Sequence, residues 1–141
     1  MKFEDIKTVG CLGGGIMGGG IAQVFAIAGY DVVVRDISDD AIAATRHSLC
    51  DSKWGVKRAV ERGKLAFDDA LAAMERVSYT TDEAGLRDVD IVIEAIPEKL
   101  DLKQQVFGEI DQVVKPEAIF ASNTSGVCIQ DIAQGVSEAR R

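Results

Sequence analysis

The residues from Val9 to Ala22 read Val-Gly-Cys-Leu-Gly-Gly-Gly-Ile-Met-Gly-Gly-Gly-Ile-Ala, and no other stretch limits the possible folds so tightly. An apolar run, Thr8 to Leu12, leads in, and Ile21 to Ala28 follows at helical length. Strand, tight turn and helix in that order put Gly13, Gly15 and Gly18 in the G-x-G-x-x-G spacing of a dinucleotide fold. Each glycine then has its own task. Gly13 turns the chain out of the strand, Gly15 admits a pyrophosphate close to the backbone, and Gly18 lets the helix lie close on the sheet. The N–H groups and positive dipole end of that helix face the phosphates. A flexible glycine-rich loop could show the same spacing, but it would not sit between a strand and a helix.

The residues up to Asp36 extend the pattern. The helix stops at Gly29, and Tyr30 to Arg35 is a β-branched strand that ends at Asp36. Two strands around one helix make a βαβ unit with a right-handed crossover. An acidic residue about twenty positions beyond the first glycine hydrogen-bonds the ribose hydroxyls of NAD, and its charge repels the extra phosphate of NADP. Asp36 fills that place, although capping of the next helix, in competition with Ser38, is the alternative. Arg35 is the basic neighbour that could accept a phosphate; strand alternation points it away from the ribose if Asp36 points toward it.

From Ser38 the pattern predicts a helix to about Arg62, with Ile42, Thr45, Leu49, Val56 and Val60 as a broken apolar stripe. Gly63 interrupts it, and Asp68 caps a second piece through Met74, with Ala70, Leu71 and Met74 facing inward. A Rossmann crossover needs only one helix, so residues from about 45 to 76 form a helical-hairpin insertion expected to project from the domain. Lys53, Lys57, Arg58, Arg62 and Lys64 make it basic: either a solvated face or a landing strip for an anionic ligand. His47, the only histidine, has no carboxylate or serine arranged with it for catalysis in sequence. Trp54 fits a core or a ligand contact equally well.

Val77 to Thr80 reads as a third strand, followed by a brief helix capped by Thr81 or Asp82 and ending near Gly85. Val89 to Ile93 is a fourth strand, apolar on both faces and so central. A helix carrying Lys103, Val106, Phe107, Ile110, Val113 and Val114 runs on until Pro116 ends it, and Ala118 to Ala121 is the fifth strand. The fold class is therefore α/β, a Rossmann-type doubly wound parallel sheet in the order 3-2-1-4-5, occupying residues 1–141 as one domain. Ligands of such sheets bind where the strand order reverses, between strands one and four. That puts Ala95, Ile96 and Glu98 beside the nicotinamide end of a dinucleotide. Ser122-Asn123-Thr124-Ser125-Gly126 opens at the same edge, as a turn and helix cap or as a grip on a substrate oxygen.

Charge and cysteine usage narrow the ligands. A net charge of −7 with no basic stripe argues against nucleic acid. Cys11, Cys50 and Cys128 are odd in number and far apart, which fits neither a disulfide framework nor a metal site, and Cys11 reads as a small core residue. The acidic start at Met1-Lys2-Phe3-Glu4-Asp5 does not open a signal peptide, and no apolar run reaches membrane-spanning length. The expectation is a cytosolic protein that binds neither membrane nor metal.

Three motifs, Gly13 to Ala22, Glu94-Ala95-Ile96-Pro97-Glu98 and Ser122-Asn123-Thr124-Ser125, together resemble the NAD-binding domain of the 3-hydroxyacyl-CoA dehydrogenases. The order of the motifs and the hairpin between strands two and three are family features, and the resemblance covers nearly the whole chain. It implies oxidation of an L-3-hydroxyacyl-CoA to the ketone with NAD, in fatty acid β-oxidation or butyryl-CoA metabolism. It further implies that Gly13, Gly15, Ile16, Met17 and Gly18 line the cofactor and that Asp36 holds the adenosine ribose. Ala95, Ile96, Glu98, Lys103 and Asn123 serve the nicotinamide half. Ser125 is the implied catalytic hydrogen-bond donor to the reacting oxygen, and Ser52 and Arg58 fall where the hairpin meets CoA.

The departures from the family are specific. Gly126 replaces a second serine, and Gly14, Ile16 and Gly19 read as tolerated variants at non-essential loop positions. The family's catalytic histidine, a general base suited to neutral pH, lies in a His-Phe-Phe-Asn-Pro segment beyond the stretch matched here. The helical domain that completes the substrate pocket and the homodimer follows it. The expectation is an NAD-binding half, truncated before the histidine, that holds the oxidant but is nearly inert alone. A non-catalytic NAD-binding module and a relative acting on a hydroxy acid without CoA are the competing readings.

Overall fold

The β-branched runs form five short parallel strands: β1 (Thr8–Leu12), β2 (Asp31–Arg35), β3 (Val77–Thr80), β4 (Ile91–Glu94) and β5 (Ile119–Ser122). They lie in the order β3-β2-β1-β4-β5. The computed structural model describes residues 2–141 apart from the side chain of Phe3; Met1, where the expected domain begins, lies outside the described residues. β1 is central because four of its five residues are buried, as a strand covered on both faces must be. Its register sets Leu12 against Arg35 on one side and Glu94 on the other, so the ends of β1, β2 and β4 share one edge.

Among the described residues six α-helices cover the faces: α1 (Ile16–Ile27), α2 (Asp39–Asp51), α3 (Val56–Glu61), α4 (Phe67–Glu75), α5 (Leu100–Asp111) and α6 (Ile129–Ile132). Val9, Cys11, Val32, Val34 and Val77 of the sheet pack on Ala22, Ala26, Leu49 and Ala73 of α1, α2 and α4. Leu12 and Val92 pack instead with Val106, Phe107 and Ile110 of α5 and with Ile132 of α6. Each fully buried Val or Leu contributes about 1.5–3 kcal/mol. Burial pushes the Cys11 thiol up to about 12, as befits a small core residue.

The hairpin departs from expectation. The helix from Ser38 does not continue to Arg62. Ser38 Oγ accepts the Ala41 N–H at 3.2 Å and starts α2, but Ser52 Oγ accepts from Trp54 N at 3.2 Å and Gly55 N donates to Ser52 O at 2.9 Å. These local bonds compete with the helical ladder and end it. A Cβ on Gly55 would lie 2.7 Å from Cys50 O, so the turn needs glycine before α3 begins. α4 starts one residue before Asp68, which sits in the first turn and favours the helix dipole there rather than capping it. Leu71, expected inward, is exposed, while Ala70 and Ala73 carry the packing. Nor does the whole insertion project. Small alanines bring α4 onto the glycine- and alanine-rich α1, where Arg76 Nη1 donates to Ala26 O at 3.4 Å. α4 thereby serves as the crossover helix into β3. Further on, α5 ends at Asp111, well before Pro116.

Candidate functional site

The chain leaves β1 at Gly13 with φ +86°, a conformation that favours glycine, and Gly13 N donates to Arg35 O at 2.9 Å. A Cβ there would lie 2.9 Å from Ala95 O, and one on Gly18 would overlap the Gly13 carbonyl oxygen. At Gly15 a Cβ would meet nothing within 4 Å, which is the opening a pyrophosphate needs. Gly15 caps α1 without a side-chain bond, and no acidic residue stands in the first turn, so the helix end is free to face an anion. Ile16 and Met17 beside it are exposed. These residues fit a dinucleotide.

Gly14, read from sequence as a non-essential position, has no room for a side chain beside Thr45. Thr45 of α2, buried beneath the loop, places its hydroxyl 2.9 Å from both Gly14 O and Ala41 O, and a Cβ on Gly14 would overlap it. Asp36 faces the same loop, with Oδ2 accepting from Gly14 N and Oδ1 from Ile37 N, each at 2.7 Å. Ser38 does the helix capping, so the competing role for Asp36 falls away. Arg35 is paired with Glu83 on the 3₁₀ turn Glu83–Leu86.

The second half of the site is built on charge. Ala95 N donates to Leu12 O at 2.9 Å, holding the β4–α5 turn against the glycine loop. Glu94, fully buried, takes Lys103 Nζ at 2.6 Å and Ile96 N at 2.7 Å on one oxygen and the Ser122 hydroxyl on the other. Lys103, 1% exposed, also reaches Glu98 Oε2 at 3.0 Å. Burial pulls the Lys103 ammonium down, but its bonds to Glu94 and Glu98 outweigh this and its pKa is raised. Glu98 Oε1 accepts from the Thr124 hydroxyl, from Gly126 N at 3.0 Å and from Ser125 N at 3.2 Å. The Thr124 hydroxyl first, then Lys103 and Gly126 N–H, hold the Glu98 carboxyl down at about 2. Asn123 and Ser125 are exposed, and neither side chain has a hydrogen-bond partner among the described residues.

Sequence reading gave Glu98 and Lys103 individual roles, but named Glu94, Ser122 and Thr124 only as members of their motifs and Thr45 only in an apolar stripe. A lone carboxylate closing an otherwise apolar strand was the available signal for Glu94. Lys103 is too deeply buried to present its ammonium outward, so its effect passes through Glu98. Ser52 and Arg58 stand apart on the hairpin. Arg58 pairs with Glu61 at 2.7 Å and lines a shallow cleft with Lys53, Trp54, Arg62 and Lys64. Trp54 is 70% exposed, and its carbonyl accepts from Gln23 of α1 at 3.1 Å, which ties the cleft to the helix that opens at the glycine loop. Lys57, expected in the basic patch, instead pairs with Asp51 and lines an apolar groove with Phe67, Leu71 and Met74. His47 is exposed, 3.5 Å from Asp51. Among the described residues no cluster of His, Cys, Asp or Glu is suited to a metal, and no helix is long and apolar enough to cross a membrane.

The model of the 3-hydroxyacyl-CoA dehydrogenase NAD-binding domain matches residues 8–141. The chain belongs to that family, as its NAD-binding domain. A 3-hydroxybutyryl-CoA dehydrogenase of Mycobacterium tuberculosis is 38% identical over 139 residues, covering 98% of this chain and 48% of the relative. The fatty acid oxidation complex subunit alpha of Idiomarina loihiensis is 36% identical, over 98% of this chain and 19% of its own length. The crystal structure of M. tuberculosis FadB2 superposes with a TM-score of 0.91 at 38% identity, covering 96% of this chain and 47% of that one. The NAD-binding chain thus spans about half or less of the proteins it resembles.

Proposed function

We propose that this domain provides the oxidant-binding half of an NAD-dependent L-3-hydroxyacyl-CoA dehydrogenase. The observation that carries the reading is the meeting of the Gly13–Gly18 turn, Asp36, and the 94–98 and 122–126 loops at one sheet edge, through Gly14 N to Asp36 and Ala95 N to Leu12 O. Gly13, Gly15, Ile16, Met17 and Gly18 line the pyrophosphate, Asp36 accepts the adenosine ribose hydroxyls, and exposed Ile37 offers apolar surface for the adenine. Ala95, Ile96, Glu98 and Asn123 border the nicotinamide, with Lys103 acting behind Glu98. When bound, NAD supplies the hydride acceptor. Ser125, whose hydroxyl is free, hydrogen-bonds the substrate oxygen and keeps it polarised. It is a poor base, so the proton must leave through another group.

Ser52, Arg58 and the cations around Trp54 receive the CoA moiety, since a cluster of positive charge on a chain of net charge −7 suits its phosphates. A homodimer is part of this proposal. So is a cytosolic location.

Calorimetry with NADH and NADPH tests the cofactor assignment. Asp36→Ala is expected to weaken NADH binding about tenfold, the loss of charged hydrogen bonds, and to leave NADPH as weak or improve it. Equal affinity of the unaltered domain for NADH and NADPH would remove Asp36 from the ribose.

A further inference from the structure

We propose that Glu94 is a positioning residue for the nicotinamide end of the site, acting through Lys103 and Ser122 without touching the dinucleotide. The inference rests on the reading above, in which Glu98 and the 122–126 loop border the nicotinamide. Glu94 is fully buried at the carboxyl end of β4, paired with Ser122 across to β5 and with Leu12 across to β1. A buried carboxylate costs several kcal/mol unless it is paired and fully hydrogen-bonded. Here both carboxylate oxygens are hydrogen-bonded. Ile96 N, Lys103 Nζ and the Ser122 hydroxyl reach the side chain, and Asn123 N donates to the Glu94 main-chain oxygen at 2.8 Å.

These bonds lead to two parts of one wall. Along one branch, Lys103 passes from Glu94 to Glu98, and Glu98 accepts from Thr124, Ser125 N and Gly126 N. Along the other, Ser122 and Asn123 hang directly from Glu94. The two branches meet in the 122–126 loop and close a ring around it. Two carboxylates share one ammonium, so the ring keeps one net negative charge. That charge stays on Glu98, the member exposed to solvent, because Lys103 and Glu94 lie together beneath it. Removing the Glu94 charge would leave Lys103 to Glu98 alone and draw Glu98 inward.

The test compares NADH with ADP-ribose, which lacks the nicotinamide, in titrations of the whole chain. Glu94→Gln is expected to weaken NADH about tenfold. ADP-ribose should stay within about twofold, as for an independent site. A general loss of structure would weaken both ligands alike and would overturn the positioning role. Ser122→Ala cuts only one branch, and it keeps the test usable if Glu94→Gln fails to fold; about a threefold change in the same ratio is expected. Glu98→Gln separates the two ideas. If it changes the NADH to ADP-ribose ratio while Glu94→Gln and Ser122→Ala do not, Glu94 is structural only. If Glu98→Gln leaves the ratio unchanged, the placement of Glu98 beside the nicotinamide fails, and the role of Glu94 with it.

Discussion

The two halves of the carboxyl edge are made by opposite means. The glycine loop offers an anion bare backbone: an open approach at Gly15, a helix end without a side-chain cap, and a turn at Gly13 and a first helical turn at Gly18 that exclude a side chain. The β4–β5 half relies on buried ionised side chains, Glu94 and Lys103, wired to the exposed Glu98. The first responds to the volume of a single atom and the second to a single charge. A site for a dinucleotide needs both, because phosphates are held well by fixed N–H groups, whereas a ring without phosphates must be placed by a wall of defined position.

Changes of volume should break the first half outright. Gly18→Val would force a side chain into the Gly13 carbonyl, which is backbone and has little room to move. The expected outcome is a loss of about 3 kcal/mol of stability and of measurable NADH binding. An unchanged unfolding midpoint would mean that the loop has slack the geometry does not show.

Changes of charge should do comparable damage in the second half, but reversibly. Lys103→Met strands Glu94 in the interior, at an expected cost of about 3–5 kcal/mol in urea unfolding. The pair Glu94→Leu with Lys103→Met should regain most of that, since neither charge is then orphaned. A double variant as unstable as the single one would show that packing, not charge, dominates there.

Acid offers a gentler probe of the same wiring. The Glu98 carboxyl is held at about 2 against an ordinary 4.5, so its contribution is present above 4.5 and is lost as pH falls through about 2. The difference in urea midpoint between the unaltered chain and Glu98→Gln should stay constant from neutral pH to about pH 5 and shrink below 4.5. A difference that shrinks already between neutrality and pH 5 would contradict the Thr124, Lys103 and Gly126 arrangement.

The smallest structural effect belongs to the hairpin. Trp54→Ala is expected to change stability by less than about 0.5 kcal/mol, because the ring is exposed, while weakening CoA binding measured by calorimetry. Unaltered CoA affinity would remove Trp54 from the ligand and reduce the cleft to a solvated surface.

How much of this was legible in the chain follows the same division. The strands themselves, the glycine turn and the position of Asp36 all rest on short-range rules: φ preference, side-chain period and spacing along one βαβ unit. The break at Ser52–Gly55 was local too, but its signal, a serine able to bond its own backbone, lies within a pattern that also suits a helix. Thr45 beneath Gly14 was not legible, because nothing in either segment says that they touch.

The sequence by itself determined the doubly wound sheet and the dinucleotide turn, since periodicity and glycine spacing are properties of contiguous residues, and the family came from the resemblance of its three motifs. Only the tertiary structure decided that a side chain on Gly14 would overlap Thr45, that α4 packs on α1, and that Glu94 joins Lys103 to Ser122 in the interior. Those outcomes depend on which side chains from distant segments share a dry interior. There an uncompensated charge or one overlapping atom costs more than any local preference can offset.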